Sequence, residues 1–393
     1  MDTTSINQLI AAVKDDVIAW RHHFHKYPEL SYQETQTSQF VYDKLCALGN
    51  LDVSRPTATS VMARLKGIKP GRTLALRADM DALPIQEASE CEFASCHDGV
   101  MHACGHDTHT AMLLGTATVL SHLQSQIQGE VRFLFQHAEE MQPGGSREMI
   151  GAGVLEGVSQ IMGLHVMSHI PVGQVGIVYG SAMAAADTFD LIITGKGGHA
   201  SQPHLVTDPI AIAAQVVTNL QHVVARNADP QEKLVVAATT IHGGTAYNII
   251  PDTVTIQGSV RSFDKKIRAM AAEMIDRIGT GIAATHGATC KVIYNFGYDS
   301  VTNDPAMTKA VEDTVVEFWG SEAVHTMPPL MGSEDFSFYL NDIPGAFIFI
   351  GGANPAKYDI YPLHNARVVI DDACLDTGVR LTVHAALKLL SQV

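Results

Sequence analysis

The segment Gly99–His109 places five groups that can bind a metal ion within a short stretch of chain. It contains one cysteine, three histidines and one aspartate, and it leads into apolar residues at helical spacing. Farther along come an acidic doublet, Glu139-Glu140, and single histidines at His165 and His364, each after a short apolar run. Thiolate, imidazole and carboxylate together are the ligands that divalent transition metals select. These residues predict a metallohydrolase site assembled from distant segments.

Taken one at a time, these residues also fit ordinary roles: a buried structural cysteine, a solvated acidic turn, and core or surface histidines. Cys104 departs from this because His106 and Asp107 follow it at the entrance of a predicted helix. The acidic doublet is informative because two adjacent carboxylates repel each other, so they are stabilised by a cation or left in solvent. His102 and His109 fit a supporting role as well as a ligand role.

The composition argues against several classes of function. The chain of 393 residues carries a net charge of −15 and no cluster of Lys or Arg, which argues against nucleic acid and anionic membranes as partners. The N-terminus lacks the basic and apolar pattern of a signal peptide, and no apolar run is long enough to span a membrane. The six cysteines show no disulfide-framework spacing. The sequence therefore predicts a reduced, cytoplasmic protein.

Strands and helices alternate through the first part of the chain, which predicts a largely parallel sheet covered by helices on both faces. Three predicted strands are each followed by polar groups: Thr73–Ala78 by Asp79 and Asp81, Val131–Phe135 by Glu139 and Glu140, and Ile161–Leu164 by His165. In open α/β sheets, ligands bind at the C-terminal ends of the strands. The polar groups are therefore expected to converge at one edge of the sheet.

The pattern changes near residue 184. From there to residue 296, the predicted order is strand, helix, strand, strand, helix, strand, which is the ferredoxin-like plan. Beyond residue 296 an α/β pattern resumes. The sequence therefore predicts an α/β fold in which a catalytic domain, formed by residues 1–183 and 297–393, is interrupted by a smaller α+β lid domain at residues 184–296.

The chain contains four short motifs, which are His102–Asp107, Glu139-Glu140, Gly198–Ser201 and Gly332–Phe336. In type and in order they resemble the motifs of the M20 metallopeptidases. Within that family they are similar to the amidohydrolase branch, which includes hippurate hydrolases, N-acyl-amino-acid amidohydrolases and plant auxin-conjugate hydrolases. The similarity covers essentially the whole chain. It implies metal-dependent hydrolysis of the amide bond of N-acyl amino acids by a two-domain enzyme whose lid commonly dimerises.

The resemblance also implies a ligand set for two divalent metal ions per subunit: Cys104, His106, Glu140, His165 and His364. Thiolate and imidazole suit Zn²⁺ or Mn²⁺, with Co²⁺ or Ni²⁺ as alternatives, and a thiolate is a poor ligand for Mg²⁺ or Ca²⁺. Glu139 would take a proton from the attacking water and deliver it to the leaving nitrogen. Many M20 relatives carry a ligand histidine where this chain has Asp79. His106 is therefore expected to supply that imidazole, with Asp79 and Asp81 in supporting roles.

The predicted lid carries three further candidates by the same resemblance. His199 would donate a hydrogen bond to the developing oxyanion, and Asn248 and Arg261 would hold the free carboxylate of the substrate. The planar fork of arginine suits a carboxylate better than lysine does, although an ion pair on the strand surface is the alternative for Arg261. The run Gly195–His199 is not a phosphate loop, because it lacks the Walker spacing and its Lys-Ser/Thr pair.

Two other functions stay open at this point. One is a dipeptidase or carboxypeptidase that uses the same binuclear site. The other is a non-catalytic homologue that binds a metal or metabolite; Glu139 beside Glu140 argues against it, because a binding protein needs no general base. The expected partners are a small N-acyl amino acid as substrate and a second copy of the chain, in a homodimer or higher homo-oligomer formed through the lid.

Overall fold

The computed structural model describes residues 3–391, which divide into two compact units. The larger unit comprises residues 3–182, 302–328 and 335–391, and the smaller unit comprises residues 183–301 and 329–334. The smaller unit is therefore an insertion in the chain of the larger one. Within residues 3–391, no helix has the length and hydrophobicity needed to cross a membrane.

The secondary structure alternates through most of residues 3–391. The helices are α1 (Thr3–Lys26), α2 (Thr35–Ala47), α3 (His106–His122), α4 (Gly145–Gly151), α5 (Pro209–His222), α6 (Lys265–Thr285), α7 (Pro305–Trp319) and α8 (Ala373–Ser391). The strands are β1 (Asp52–Ser54), β2 (Val61–Lys66), β3 (Lys69–Asp79), β4 (Gln128–Gln136), β5 (Gln160–Pro171), β6 (Val175–Ile177), β7 (Gly180–Met183), β8 (Ala185–Thr194), β9 (Gly198–His199), β10 (Leu234–His242), β11 (Ile249–Ile250), β12 (Thr253–Ser262), β13 (Thr289–Tyr298), β14 (Val301–Asn303), β15 (Val324–Thr326) and β16 (Gly345–Ala353).

The larger unit is built on an eight-stranded sheet in the order β1-β2-β4-β3-β5-β16-β6-β15. Its four central strands, β4, β3, β5 and β16, are mutually parallel, and the antiparallel pairs lie toward the two ends. Every residue of β16 is buried, so both faces of the sheet are covered there. Helices α3 and α8 pack on β3 and β16, while α4 and the short helical turn Asp335–Asn341 pack near β4 and β5.

The smaller unit has the ferredoxin-like order. Its four-stranded antiparallel sheet runs β10-β12-β8-β13, and α5 and α6 pack on it. The core includes Phe189, Leu191 and Ile193, which alternate along β8 with less buried residues. One face of the sheet is therefore packed and the other is more open. Asp208 and Asp264 cap α5 and α6, each by accepting two backbone N–H groups. The predicted α/β fold with a ferredoxin-like insertion is confirmed.

One predicted strand end is wrong. The sequence places the end of a short strand at Leu164, but β5 continues through His165 to Pro171. The reason is that the two strands beside β5 pair with it over different lengths. Pairing with β3 ends at Gly163, whereas pairing with β16 continues past His165 to Met167. His165 therefore lies past the last residue of β5 that pairs with β3, but it still pairs with β16.

Candidate metal centre

Two predicted ligands flank a residue whose backbone only glycine adopts easily. Gly105 has φ +86° and directly precedes α3, with Cys104 before it and His106 after it. An added Cβ at Gly105 would lie 2.3 Å from Cγ1 of Val166 on β5, so both the conformation and the space exclude a side chain. This tight turn places a thiol and an imidazole together at the start of a buried helix.

The five predicted metal ligands form one cluster in the larger unit. The Sγ atom of Cys104 lies 3.4 Å from Nε2 of His165 and 3.3 Å from Nε2 of His364. Oε1 of Glu140 lies 3.2 Å from Nε2 of His364 and 3.9 Å from Nε2 of His106. Donor atoms that bind one zinc ion at about 2.0–2.3 Å lie roughly 3–4 Å apart, so these separations suit coordination.

The donor atoms group into overlapping sets rather than one. Cys104 shares one set with His106 and His165, and another with Glu140 and His364, and within each set the donor atoms lie within 4.8 Å of one another. Four protein ligands complete the usual structural zinc site, whereas a catalytic ion keeps a position open. Five donors in overlapping sets therefore suit two neighbouring ions better than one.

Burial and charge at His106 and Cys104 fit a cation at this place. The Nε2 atom of His106 is buried and has no hydrogen-bond partner among residues 3–391. Burial alone would lower the pKa of His106, but the carboxylates of Asp79, Asp81 and Glu140 outweigh it and raise the pKa to about 10. The pKa of the Cys104 thiol is raised well above its usual range, mainly by burial and next by the negative charges of Glu140 and other nearby carboxylates. A divalent cation reverses both effects, because it favours the thiolate and the neutral imidazole.

His165 is held in the form that metals bind. Its Nδ1 lies 2.7 Å from the carbonyl oxygen of Val166, to which it donates, so Nε2 is free of a proton and faces Cys104. Burial first, and then the neighbouring His109, keeps the pKa of His165 well below its usual value. The ring is therefore a neutral imidazole, the form in which histidine serves as a ligand.

Asp81 orients two of the predicted ligands at once. Its Oδ1 lies 3.2 Å from Nδ1 of His106, and its Oδ2 accepts the backbone N–H of Glu140 at 2.9 Å. The hydroxyl of Ser31 donates to the same Oδ2 at 2.7 Å. A carboxylate on the far nitrogen of a ligand histidine fixes the ring and its tautomer. Asp81 therefore has the geometry of the supporting role predicted from the sequence.

His109 uses both ring nitrogens within the protein. The N–H of Val166 donates to Nε2 of His109 at 2.8 Å, so Nδ1 carries the proton and donates to Oδ1 of Asp79 at 2.6 Å. Arg77 donates to Oδ2 of Asp79 at 2.6 Å. Burial opposes ionisation of Asp79, but His106, Arg77 and His109 hold its pKa well below the usual range. Donor atoms of His109 and Asp79 also lie within 4.8 Å of a donor atom of His106, but these hydrogen bonds favour a supporting role for both residues.

Glu139 and Glu140 have different surroundings, although they are adjacent. The backbone N–H of Asp335 donates to Oε1 of Glu139 at 3.3 Å, and Glu139 is 6% exposed. Glu140 instead approaches His106 and His364. A donor oxygen of Glu139 still lies within 4.8 Å of the donor atoms of His106 and Glu140. One carboxylate is therefore positioned among the metal donors and the other beside them, as a division into ligand and base requires.

The three predicted substrate-side residues lie in the smaller unit. His199 on β9 pairs with Ile249 on β11, and the N–H of Ala200 donates to the carbonyl oxygen of Asn248 at 3.1 Å. The side chains of His199 and Asn248 are exposed. Arg261 lies on β12, where it is partly buried. His199 and Asn248 are thus neighbours, while Arg261 is on a different strand of the same unit.

A second group of potential metal ligands is already saturated by hydrogen bonds. Donor atoms of His25, Glu87 and Cys91 lie within 4.8 Å of one another. However, Nδ1 of His25 is 2.9 Å from Asp107 and Nε2 is 3.2 Å from Glu87, and Arg21 also donates to Asp107. This group is a buried ion-pair network that anchors the end of α1 to the start of α3.

Two buried acids beside the cluster were not assigned a role from the sequence. Asp335 accepts hydrogen bonds from Arg77, Gln136 and Ser146 and so fixes the N–H that meets Glu139. Glu34 accepts the N–H of Ala138, just before the acidic doublet. For Asp335 a signal existed, because Arg77 interrupts an otherwise apolar strand and a buried arginine needs an acidic partner. No comparable signal marks Glu34.

Comparisons with known proteins identify the family of this chain. Residues 75–388 match the family described as Peptidase family M20/M25/M40. The chain is 55% identical over 303 residues to an N-acyl-L-amino acid amidohydrolase of Geobacillus stearothermophilus, covering 77% of this chain and 82% of that one. It is 42% identical to thermostable carboxypeptidase 1 of Saccharolobus solfataricus, covering 96% of each. A Bacillus subtilis crystal structure described as a dinuclear metal binding peptidase of the M20 family superposes with a TM-score of 0.86 at 34% identity, covering 98% of this chain and 100% of that one.

Proposed function

The chain belongs to peptidase family M20/M25/M40 and is a hydrolase of amide bonds, and from this premise we propose that it releases amino acids from N-acyl amino acids. The observation that carries the proposal is the pairing of a five-donor cluster with a second carboxylate, Glu139, directly beside it. A non-catalytic metal-binding protein needs the cluster but not the adjacent base.

The proposed chemistry divides between the metal ions and the protein. Bound divalent ions lower the pKa of water toward 7 and polarise the scissile carbonyl. Glu139 takes the proton of the attacking water and returns it to the nitrogen, because an amine leaves readily only when protonated. The N–H of Asp335 donates to Oε1 of Glu139 and so helps to hold this carboxylate beside the metal donors.

Zn²⁺ or Mn²⁺ is the proposed metal, with two ions per subunit. The donors are one thiol, three imidazoles and one carboxylate: Cys104, His106, His165, His364 and Glu140. Imidazole and thiolate donors favour transition metals over Mg²⁺ and Ca²⁺, which prefer oxygen ligands. Co²⁺ and Ni²⁺ are alternatives on the same donor chemistry.

The substrate class can be tested with a panel of N-acetyl, N-benzoyl and indoleacetyl amino acids, together with dipeptides and longer peptides. We expect the free amino acid to be released from the N-acyl compounds. The kcat/KM for these compounds should exceed that for the peptides by about tenfold or more. The matched control is the N-acyl amino acid amide, which lacks the carboxylate that Asn248 and Arg261 are proposed to bind. Faster cleavage of peptides would favour the carboxypeptidase alternative. The 42% identity to a carboxypeptidase is the reason to test it.

We also propose that the smaller unit acts as a lid and that His199 serves a metal centre across a homodimer. His199 and Asn248 are exposed in a unit that contains none of the five donors. A donor held there can assist the reaction only when it reaches a site on the larger unit of its own or a second subunit, and closure would exclude water.

Co-expression of His199→Ala with Glu139→Gln tests this sharing between subunits. Each variant alone should be nearly inactive, but a hybrid dimer regains one site with both native residues. Random pairing makes half of the dimers hybrid with one working site of two, so about one quarter of wild-type activity is expected. His199→Ala co-expressed with a tagged copy of itself is the control. Hybrid dimers that form yet stay inactive would rule out sharing.

A further inference from the structure

Three residues other than glycine have positive φ angles within residues 3–391. They are Tyr32 at +66°, Ala138 at +48° and His364 at +66°. An L-residue with a Cβ atom adopts this region only when its surroundings hold it there. His364 is itself a predicted ligand, and Ala138 directly precedes the acidic doublet. Strained backbone of this kind points to a functional constraint.

One carboxylate oxygen binds two of these three residues. Oε1 of Glu34 accepts the backbone N–H of Ala138 at 2.8 Å and the backbone N–H of Tyr32 at 3.1 Å. Its other oxygen, Oε2, accepts the hydroxyl of Thr59 at 2.9 Å. The residue as a whole is 0% exposed. Glu34 therefore fixes both left-handed residues from a single buried position.

The carbonyl side of Ala138 is held as well. Its oxygen accepts the N–H of Gly145 at 2.9 Å, so both peptide groups that flank Ala138 are anchored. The next anchor is the N–H of Glu140, which donates to Asp81 at 2.9 Å. Between these anchors, Glu139 and Glu140 have little freedom to turn. Rotation of φ at Ala138 would swing both carboxylates away from their present directions.

Burying a glutamate side chain to accept hydrogen bonds from two backbone N–H groups has a free-energy cost. Burial, with the nearby negative charge of Asp81, raises the pKa of Glu34 to about 7. A water molecule or a backbone carbonyl would satisfy the same N–H groups without placing a carboxylate in the interior. The advantage of a carboxylate is that its hydrogen bonds are short and strong enough to hold an unfavourable backbone conformation.

We propose that Glu34 is a positioning residue, which keeps Ala138 in the left-handed conformation and thereby aims Glu140 at the metal ions and Glu139 at the attacking water. This inference rests on the function proposed above for Glu139 and Glu140. Glu34 acts through its hydrogen bond to the backbone of Ala138 and is itself neither a proposed ligand nor a proposed catalytic group.

Removal of Glu34 and relief of the strain at Ala138 form a double-variant test. Glu34→Ala should weaken binding of one of the two Zn²⁺ ions by about 10- to 100-fold, as loss of groups that orient ligands does, and should lower kcat more than it changes KM. Glycine adopts φ +48° without a steric penalty, so the Glu34→Ala, Ala138→Gly double variant should bind Zn²⁺ about threefold or more tighter than Glu34→Ala alone. Zn²⁺ affinity is measured by competition with a chromogenic chelator, without substrate.

The controls separate positioning from general destabilisation. Thr59→Val removes the hydroxyl bond to Oε2 of Glu34 but leaves the bonds to both amides, so it should change Zn²⁺ affinity less than about threefold. If Glu34→Ala does not fold, Glu34→Asp, which retracts the carboxylate by one methylene, carries the same comparison. Wild-type affinity in the Glu34 variant, or no recovery on adding Ala138→Gly, would overturn the proposal. A wild-type protein that binds two ions but hydrolyses no N-acyl amino acid would instead refute the proposed function alone.

Discussion

Replacing Glu139 with glutamine is expected to lower kcat by about 10²- to 10⁴-fold while the protein keeps its full metal content. The physical reason is that glutamine has nearly the same shape but cannot carry the proton from water to the leaving nitrogen. It retains a side-chain oxygen that can accept the N–H of Asp335, which now lies 3.3 Å from Oε1 of Glu139, so the turn should keep its structure. Steady-state kinetics and metal analysis on the same sample give both readings.

The comparison with Glu140→Gln makes this result specific. Glu140 approaches His106 and His364, so its variant should lose metal as well as rate. Glu317→Gln, at a side chain that is 61% exposed on α7, is the control for an ordinary loss of negative charge. Identical metal content and identical rates for the two doublet variants would contradict the division of roles between them.

Replacing Cys104 with serine is expected to lower both metal content and activity. Cys104 is the donor common to two of the overlapping sets, and a hydroxyl does not supply the thiolate that these ions prefer. Each bound ion contributes several kcal/mol of transition-state stabilisation, so loss of one should cost at least about 100-fold in kcat/KM. Metal per chain, measured after gel filtration, should fall below the wild-type value.

Cys290→Ser is the matched control for Cys104→Ser. Cys290 is a free, partly buried cysteine on β13 of the smaller unit. None of the five predicted metal ligands belongs to that unit. Its replacement should leave metal content and rate within about twofold of wild type. A Cys104→Ser protein that keeps all of its metal and rate would exclude Cys104 as a principal ligand.

Much of the architecture follows from the sequence because the underlying signals are periodic. Alternation of strands and helices predicts the parallel centre of the sheet, and the change of pattern near residue 184 predicts the ferredoxin-like insertion. The family membership inferred from four short motifs is confirmed by the match over residues 75–388. Cys104 and His106 are recognisable because they are close together in the chain.

Other parts of the site depend on tertiary contacts that no local pattern encodes. The extent of β5 past His165 is set by β16, which lies about 180 residues away in the chain. The role proposed for Glu34 depends on the φ angle of Ala138, a residue whose type gives no hint of a left-handed backbone. His109 resembles a ligand in sequence, and only the N–H of Val166 at 2.8 Å shows that its ring is already committed.

The most direct test of the account is a titration of metal-free protein with Zn²⁺ or Mn²⁺, in which hydrolysis of an N-acyl amino acid is followed against the number of ions bound per chain. We expect no hydrolysis without metal, and a rate that rises until two ions are bound and then stays constant. Full activity in the metal-free protein would contradict the account, and so would a rate that reaches its plateau at one ion per chain.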